Sequence, residues 1–166
     1  MYKQQLRNLI VDEIKICKRL YTKIPVDKMD YRPKEDMRSI HELLQYICVV
    51  GTALPDYWLN EAGTNFYENF DKKKILISKI PHDQFLSVMD EQIVFLDKLF
   101  EQISEEDLFE KEVIYPWGGK AKFAEAITAS SVKFITGYKL QLFLYIRMCT
   151  DLNITTPDAW FITEPD

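Results

Sequence analysis

The stretch FAEAITASSVKFITGYKLQLFLYIRMC, residues 123–149, decides the fold. Its apolar positions recur three or four residues apart and then widen into the almost wholly apolar LQLFLYI, which predicts a helix buried on several sides. The predicted buried stripe consists of Phe123, Ile127, Phe134, Tyr138, Leu142, Tyr145 and Cys149. We therefore expect a long, deeply packed helix near the carboxyl end of the chain.

Three further segments show the same spacing. The first runs from Leu6 to Tyr21 and ends before a proline. The second begins at the S-x-x-E capping box of Ser39 and Glu42 and is predicted to continue to Asn60 or Gly63, with Gly51 allowing close packing or a bend. The third begins near Pro81 and runs to Ile103. Four long helical patterns result.

The connections between these helices are long. Residues 64–79 have little periodicity and carry a charge run, so they are interpreted as a surface connection. Pro116, Gly118 and Gly119 predict a turn or short hairpin just before the last long helix. The tail after Thr150 is predicted to pack on the helices. Together these features favour an all-α fold, an antiparallel four-helix bundle forming a single domain over residues 1–166.

The composition of the chain argues against some classes of function. The 166 residues include 21 lysines and arginines and 26 acidic residues, a net charge of −5, which argues against a nucleic-acid partner. Charges recur through the amino terminus, and the longest uncharged stretch, residues 43–55, is too short to cross a bilayer. We expect a cytoplasmic protein that does not enter membranes. The three cysteines, distant from one another, are predicted to be buried free thiols.

Few residues can carry catalysis. The chain lacks the common phosphate-loop, nucleophile-elbow and H-E-x-x-H motifs, and two histidines cannot form a three-histidine metal site. His41 and Glu42 are adjacent and therefore diverge on a helix, and the capping role is favoured for Glu42. His82 fits an ordinary exposed first-turn residue. Arg147, in an apolar helix end, is predicted to make a structural ion pair or, less readily, an anion site.

Two segments resemble the DinB-like (DinB/YfiT) family. YRPKEDMRSIHELLQYI, residues 31–47, is similar to the opening of the family's second helix, and GYKLQLFLYIRM, residues 137–148, resembles its H-R-G-Q-L…Y-L-R element on the last long helix. In the second segment Gln141, Leu142, Tyr145 and Arg147 match. The two motifs cover about a fifth of the chain. The resemblance implies a DinB-type four-helix bundle.

The resemblance also implies where a metal would be bound. Many family members hold zinc or nickel through three histidines, and some use it to activate a low-molecular-weight thiol for transferase or isomerase chemistry. The matching positions here are Tyr46, Phe134 and Tyr138. Phenylalanine offers no lone pair, and a neutral tyrosine is a poor ligand for these metals. We therefore expect neither a metal nor another cofactor.

Two interpretations of the three positions remain open. The aromatic side chains fill the volume of the metal and its water, or they line a residual pocket for a small ligand, with Ser131 or Gln141 near its rim. The leading functional prediction is a small-ligand binding or interaction module. The alternatives are a thiol-dependent transferase or isomerase that uses the residual pocket without metal, and a structural homodimer.

Overall fold

A computed structural model describes residues 1–161, which are mostly helical, as the all-α prediction requires. Two short strands, β1 (Glu112–Ile114) and β2 (Lys120–Lys122), form one hairpin. The helices are α1 (Tyr2–Thr22), α2 (Ile40–Val50), α3 (Ala53–Asn60), α4 (Phe66–Ile77), α5 (Phe85–Glu101), α6 (Glu105–Glu110), α7 (Phe123–Ile127), α8 (Lys133–Cys149) and α9 (Thr156–Trp160). No described helix is long and apolar enough to cross a membrane.

The main core lies between α1, α2, α5 and α8. Helix α1 packs against α5 and α8, and α2 packs against the same two helices. The apolar stripe of each helix faces inward, so that side chains such as Ile10, Leu43, Met89 and Leu142 are completely buried. The spacing of apolar residues therefore predicted the core-facing side of each of these helices.

The predicted second helix is interrupted at Gly51, the residue at which close packing or a bend was expected, and forms the two helices α2 and α3. A Cβ at Gly51 would stand 3.0 Å from Oε1 of Gln92, so glycine allows α5 to approach closely. The Gln92 side chain donates to the carbonyl of Ile47 across a distance of 3.1 Å. This buried hydrogen bond uses a carbonyl in the last turn of α2, where helical carbonyls lack helical donors.

The surface connection predicted over residues 64–79 is also corrected, because most of it is helix α4. The Asn65 side chain accepts hydrogen bonds from the backbone of Tyr67 and Glu68 and so caps the helix. None of the α4 side chains is buried. A helix without buried aliphatic residues gives a weak periodic signal, which explains the wrong prediction.

The predicted hairpin is confirmed. Val113 pairs with Ala121 in antiparallel register, and Gly118 and Gly119 take φ values of 96° and 84°, which side chains disfavour. The indole nitrogen of Trp58 donates to the carbonyl of Ile114 at 2.9 Å. This bond fixes the hairpin against α3 and so places its turn beside the helices.

The predicted long helix over residues 123–149 is present, but it contains a wider turn. Residues Thr128–Val132 are π-helical and join α7 to α8. The hydroxyl of Ser130 in this turn donates to the carbonyl of Ala126 at 2.5 Å. Such a turn changes the direction in which all later side chains point.

The packing predicted for the tail is confirmed as far as Phe161. The Arg19 side chain donates hydrogen bonds to the carbonyls of Pro157, Asp158 and Phe161, and Lys23 forms an ion pair with Asp158 at 3.3 Å. Helix α9 is therefore held against α1.

Candidate functional site

Two of the predicted site residues are in direct contact between α2 and α8. The rings of Tyr46 and Tyr138 lie 4.7 Å apart at an angle of 64°, an edge-to-face arrangement typical of aromatic pairs. The guanidinium of Arg38 lies 4.3 Å from the centre of the Tyr46 ring and 5.8 Å from that of Tyr138. Burial, and then the neighbouring Tyr138 phenol, raise the pKa of Tyr46 to about 12. Tyr46 is therefore neutral at physiological pH.

Helix α4 adds a second set of rings on the other side of Tyr46. Phe66 and Phe70 are one turn apart and stack at 5.4 Å, and Phe70 meets Tyr46 edge-on at 5.7 Å. The spacing of four places both phenylalanines on the face of α4 that turns toward α2. Aromatic contacts thus extend from α8 across α2 to α4.

These rings do not fill the space between them. They surround a cavity of about 300 Å³, which opens to solvent beside Tyr67 and Trp117, two side chains that are more than half exposed. We call it the aromatic cavity; its walls are Tyr46, Val50, Ala53, Leu54, Phe66, Tyr67, Phe70, Asp71, Lys74, Trp117 and Phe134. Its wall residues belong to α2, α3, α4, the hairpin turn and α8.

The predicted site residues take different places around this cavity. Tyr46 and Phe134 line it, whereas Tyr138 is not part of its walls and reaches it only through its contact with Tyr46. Neither of the two predicted rim residues lines it. Ser131 is completely buried, and its hydroxyl has no hydrogen-bond partner within residues 1–161; the Gln141 amide donates to the Tyr145 hydroxyl at 2.6 Å.

The charged groups of the aromatic cavity belong to α4. Asp71 and Lys74 form an ion pair at 2.6 Å, and both side chains are about half exposed. The Lys74 ammonium also lies 5.5 Å from the centre of the Phe70 ring. The interior of the cavity is therefore apolar and aromatic, with charge confined to its rim.

The wall residues of α4 and of the hairpin turn were not foreseen from the sequence. One available signal was the spacing of four between Phe66 and Phe70, which places both rings on one helix face. Trp117 gave a second signal, since a large aromatic residue stands next to two glycines in a predicted turn. Its ring stacks on Tyr115 at 5.0 Å and lies 6.2 Å from Phe134.

The other candidate residues have structural partners. Glu42 completes the predicted capping box with Ser39 and pairs with Arg32, and these hydrogen bonds lower the pKa of its carboxyl group. Nε2 of His41 lies 3.1 Å from the Gln45 amide nitrogen. Tyr21 donates to the carbonyl of His82.

The remaining predictions concern Arg147 and the three cysteines. Arg147 is exposed, and among residues 1–161 it makes an aromatic contact, 5.6 Å from the centre of the Phe143 ring, instead of the predicted ion pair. All three cysteines are free; Cys17 and Cys48 are buried and Cys149 is partly buried. Burial raises the pKa of Cys48 to about 12 and that of Cys17 still further. Across residues 1–161, no three His, Cys, Asp or Glu side chains are grouped closely enough to hold a metal ion.

Comparisons with known proteins assign no family. A scan of the chain against protein-family models gives no match, and no curated protein has significant sequence similarity to it. The aromatic cavity is the feature of the molecule that indicates a function. Its geometry suits the binding of a flat, apolar molecule, because ring edges and faces line most of its walls.

Proposed function

We propose that this protein is a DinB-like four-helix bundle that binds a small, flat, largely apolar molecule in the aromatic cavity. The observation that carries the proposal is the cavity of about 300 Å³ left between the rings of α2, α4 and α8. Binding pockets for small molecules are concave, mainly apolar, and supplied with a few polar groups, and this cavity has those three properties.

The volume indicates the size of the ligand. An apolar cavity of about 150 Å³ is sufficient to hold benzene, so a cavity of about twice that volume accepts a molecule with two fused rings. The half-exposed Trp117 and Tyr67 at the opening support this view, because large aromatic side chains left in solvent often mark a binding surface.

The contact between Tyr46 and Tyr138 supports the DinB-like assignment. If α1, α2, α5 and α8 are the four bundle helices, the two tyrosines occupy the volume that the metal takes in the metal-binding relatives, and the aromatic cavity lies beside that volume. On this proposal Tyr46 and Tyr138 fill the former metal position, and Tyr46 together with Phe134 also lines the neighbouring cavity.

Binding can be tested with 2-naphthalenemethanol as a neutral two-ring probe, titrated by calorimetry. The wild-type protein is expected to bind it, and Ala53→Leu, which adds a side chain to the cavity wall, is expected to abolish binding. Ala124→Leu is the matched control, since Ala124 is equally buried but lies outside the aromatic cavity. Thermal unfolding checks that both variants are folded. Undetectable binding to the wild type, or unchanged binding to Ala53→Leu, would contradict the proposal.

The family assignment has its own test. The triple variant Tyr46→His, Phe134→His and Tyr138→His restores the three histidines that the resemblance implies, and we expect it to take up one zinc or nickel ion per chain. The double variant that keeps Phe134 is the control and should bind metal far more weakly. Elemental analysis after dialysis measures the uptake. Stoichiometric metal in the wild type, lost on changing Tyr46 and Tyr138, would refute the proposal of a lost site.

One observation favours the homodimer as a second candidate. Leu140, Leu144 and Met148 are 39%, 45% and 61% exposed and form an apolar stripe along the outer face of α8, since they follow one another every fourth residue. Sedimentation at micromolar concentration tests whether two copies pair. Leu144→Glu should make a dimer monomeric, whereas a monomeric wild type would exclude this candidate.

A further inference from the structure

Helix α4 forms one wall of the aromatic cavity, yet it is weakly attached to the rest of the protein. None of its 12 side chains is buried. The half-buried ones, which mark the face turned toward the other helices, are Phe66, Asn69, Phe70, Lys73 and Ile77, and two of these five are polar. Segments with few buried apolar contacts open at a lower free energy than the core does. We therefore expect α4 to detach before α1, α2, α5 and α8 unfold.

The other walls are held more firmly. Val50, Ala53 and Leu54 are buried, and α2 packs against α5 and α8 in the main core. The hydrogen bond from the Trp58 indole holds the hairpin that carries Trp117. Displacing α2 would disrupt the main core, whereas α4 contributes no buried side chain to it. Helix α4 is therefore the wall that can move while the core stays intact.

The two ends of α4 differ in how they are fixed. At the carboxyl-terminal end, the Gln45 side chain of α2 donates to the carbonyl of Ser78 across 3.1 Å. Before the amino-terminal end, Gly63 has a φ of 87°, and no atom of residues 1–161 lies within 4 Å of the position that a Cβ would take there. The end that carries Phe66 and Phe70 is therefore the one that can move away, with residues 78–81 as the pivot.

We propose that α4 is the gate of the aromatic cavity and that Lys73 is its latch. This inference rests on the proposed function, because it concerns access to the same ligand site. The Lys73 ammonium lies 2.5 Å from the carboxylate of Asp56 in α3 and 3.0 Å from that of Glu61, which follows α3 directly. The Asn69 amide adds a hydrogen bond of 3.2 Å to Glu61. These polar contacts join the inner face of α4 to α3, and the gate opens when they break.

A bound ligand favours the closed gate. Phe70 of α4 and Tyr46 of α2 both line the cavity and meet edge-on at 5.7 Å, so a flat molecule in the cavity contacts rings from both helices. When α4 has moved away, the same molecule loses its contacts with α4. A ligand shifts an equilibrium toward the state that it binds more tightly. The ligand should therefore hold α4 against α2.

Amide hydrogen exchange tests the gate, because it separates local opening from global unfolding. A detached helix of 12 residues is marginal in water, so the amides of α4 exchange while the gate is open. In the wild type, residues 70–77 are expected to exchange at least about tenfold faster than the buried residues of α1. Low concentrations of urea should accelerate exchange in α1 but hardly change it in α4, since local opening exposes little surface.

The latch is tested by substitution and by a ligand. Lys73→Met should accelerate exchange over residues 70–77 about fivefold, whereas the control Lys72→Met, at an exposed lysine outside the latch, should leave it unchanged. Saturating 2-naphthalenemethanol should slow exchange over the same residues at least about fivefold in the wild type. It should have no effect on Ala53→Leu, whose cavity is blocked.

The outcomes separate the gate from the proposed function. Equal urea dependence in α4 and α1 would overturn the gate, because α4 would then open only when the whole chain unfolds. Equal acceleration by Lys73→Met and Lys72→Met would overturn the assignment of the latch. Calorimetric binding of the probe without slower exchange in α4 would overturn this inference and leave the proposed function intact. Absence of calorimetric binding would overturn the proposed function, and the gate with it.

Discussion

Helices α1 and α4 are packed against the same body of the protein in opposite ways. Helix α1 buries seven side chains, six of them aliphatic, whereas α4 buries none and meets its neighbours through aromatic rings. Aliphatic side chains on α1 pack against α5 and α8. Phe66 and Phe70 of α4 stack on each other, meet Tyr57 and Tyr46 edge to face, and line an open cavity. One side of the molecule therefore contains the main aliphatic core, and the other side contains the aromatic cavity.

The largest expected effect concerns the core beneath α1. Leu20→Ala removes a completely buried side chain and should reduce the free energy of unfolding by about 3 kcal/mol. The matched change Leu76→Ala on α4, where the side chain is 66% exposed, should alter it by less than about 0.5 kcal/mol. Urea unfolding of both variants measures the difference. Similar losses in the two variants would mean that α4 is as tightly packed as α1.

The next largest effect concerns the buried ammonium of Lys139 on α8, which pairs with a carboxylate of α1. Lys139 is 1% exposed and pairs with Glu13 at 2.8 Å, while the Trp160 ring lies 5.0 Å from its ammonium. Glu13→Gln leaves the ammonium without its carboxylate and should cost about 2 kcal/mol, less than for a fully buried pair because Glu13 is partly exposed. Adding Lys139→Met should recover most of that loss. A double variant no more stable than Glu13→Gln alone would contradict this account.

A smaller effect is expected where α4 is tied to α3. Lys73 pairs with Asp56 at 2.5 Å and with Glu61 at 3.0 Å, and Asp56 is nearly buried. Lys73→Met should therefore destabilise the protein by about 1 kcal/mol, because the Asp56 carboxylate then keeps the Asn60 amide as its one side-chain partner within residues 1–161. Lys72→Met, on an exposed side chain, is the control and should have no measurable effect. Thermal unfolding at one ionic strength compares the two variants.

The last effect is absent at neutral pH and appears only in alkaline solution. The pKa of Tyr46 is raised to about 12 in the folded protein, against about 10 in the unfolded chain. The folded state therefore holds this proton more tightly, so the stabilisation is complete below pH 10 and is lost as the pH rises from 10 to 12. Tyr46→Phe should lose less stability across this range than the wild type. Tyr67→Phe, a change at an exposed ring, should follow the wild type; identical curves for all three proteins would refute the prediction.

The sequence predicted the α1 side well and the α4 side poorly, for a physical reason. On α1, apolar residues such as Leu6, Ile10 and Ile14 repeat at helical spacing because they face a continuous core. The sequence pattern therefore matches the burial of these side chains. The apolar residues of α4 are interrupted by charges and buried only in part. The family resemblance directed attention to Tyr46, Phe134 and Tyr138, but it could not foresee the wall that α4 places beside Tyr46.

The break after α2 was difficult to predict for a different reason. Gly51 indicated close packing or a bend. The sequence does not reveal, however, that the side chain of Gln92 on α5 donates a hydrogen bond to the Ile47 carbonyl of α2. A contact between residues far apart in the chain leaves no pattern in the sequence around either residue. Trp117 likewise lines the cavity from a hairpin that the Trp58 indole ties to α3, a contact between segments distant in the sequence.

The π-helical turn at Thr128–Val132 makes the positions of Phe134 and Tyr138 sensitive to the number of residues that precede them. A turn of this kind contains one residue more than a regular helical turn, so it is equivalent to a single-residue insertion. Deleting one residue from it would rotate everything that follows by about 100°. Phe134 and Tyr138 would then leave α2, although neither residue had been changed. One codon within this turn therefore determines whether the last helix contributes to the cavity at all.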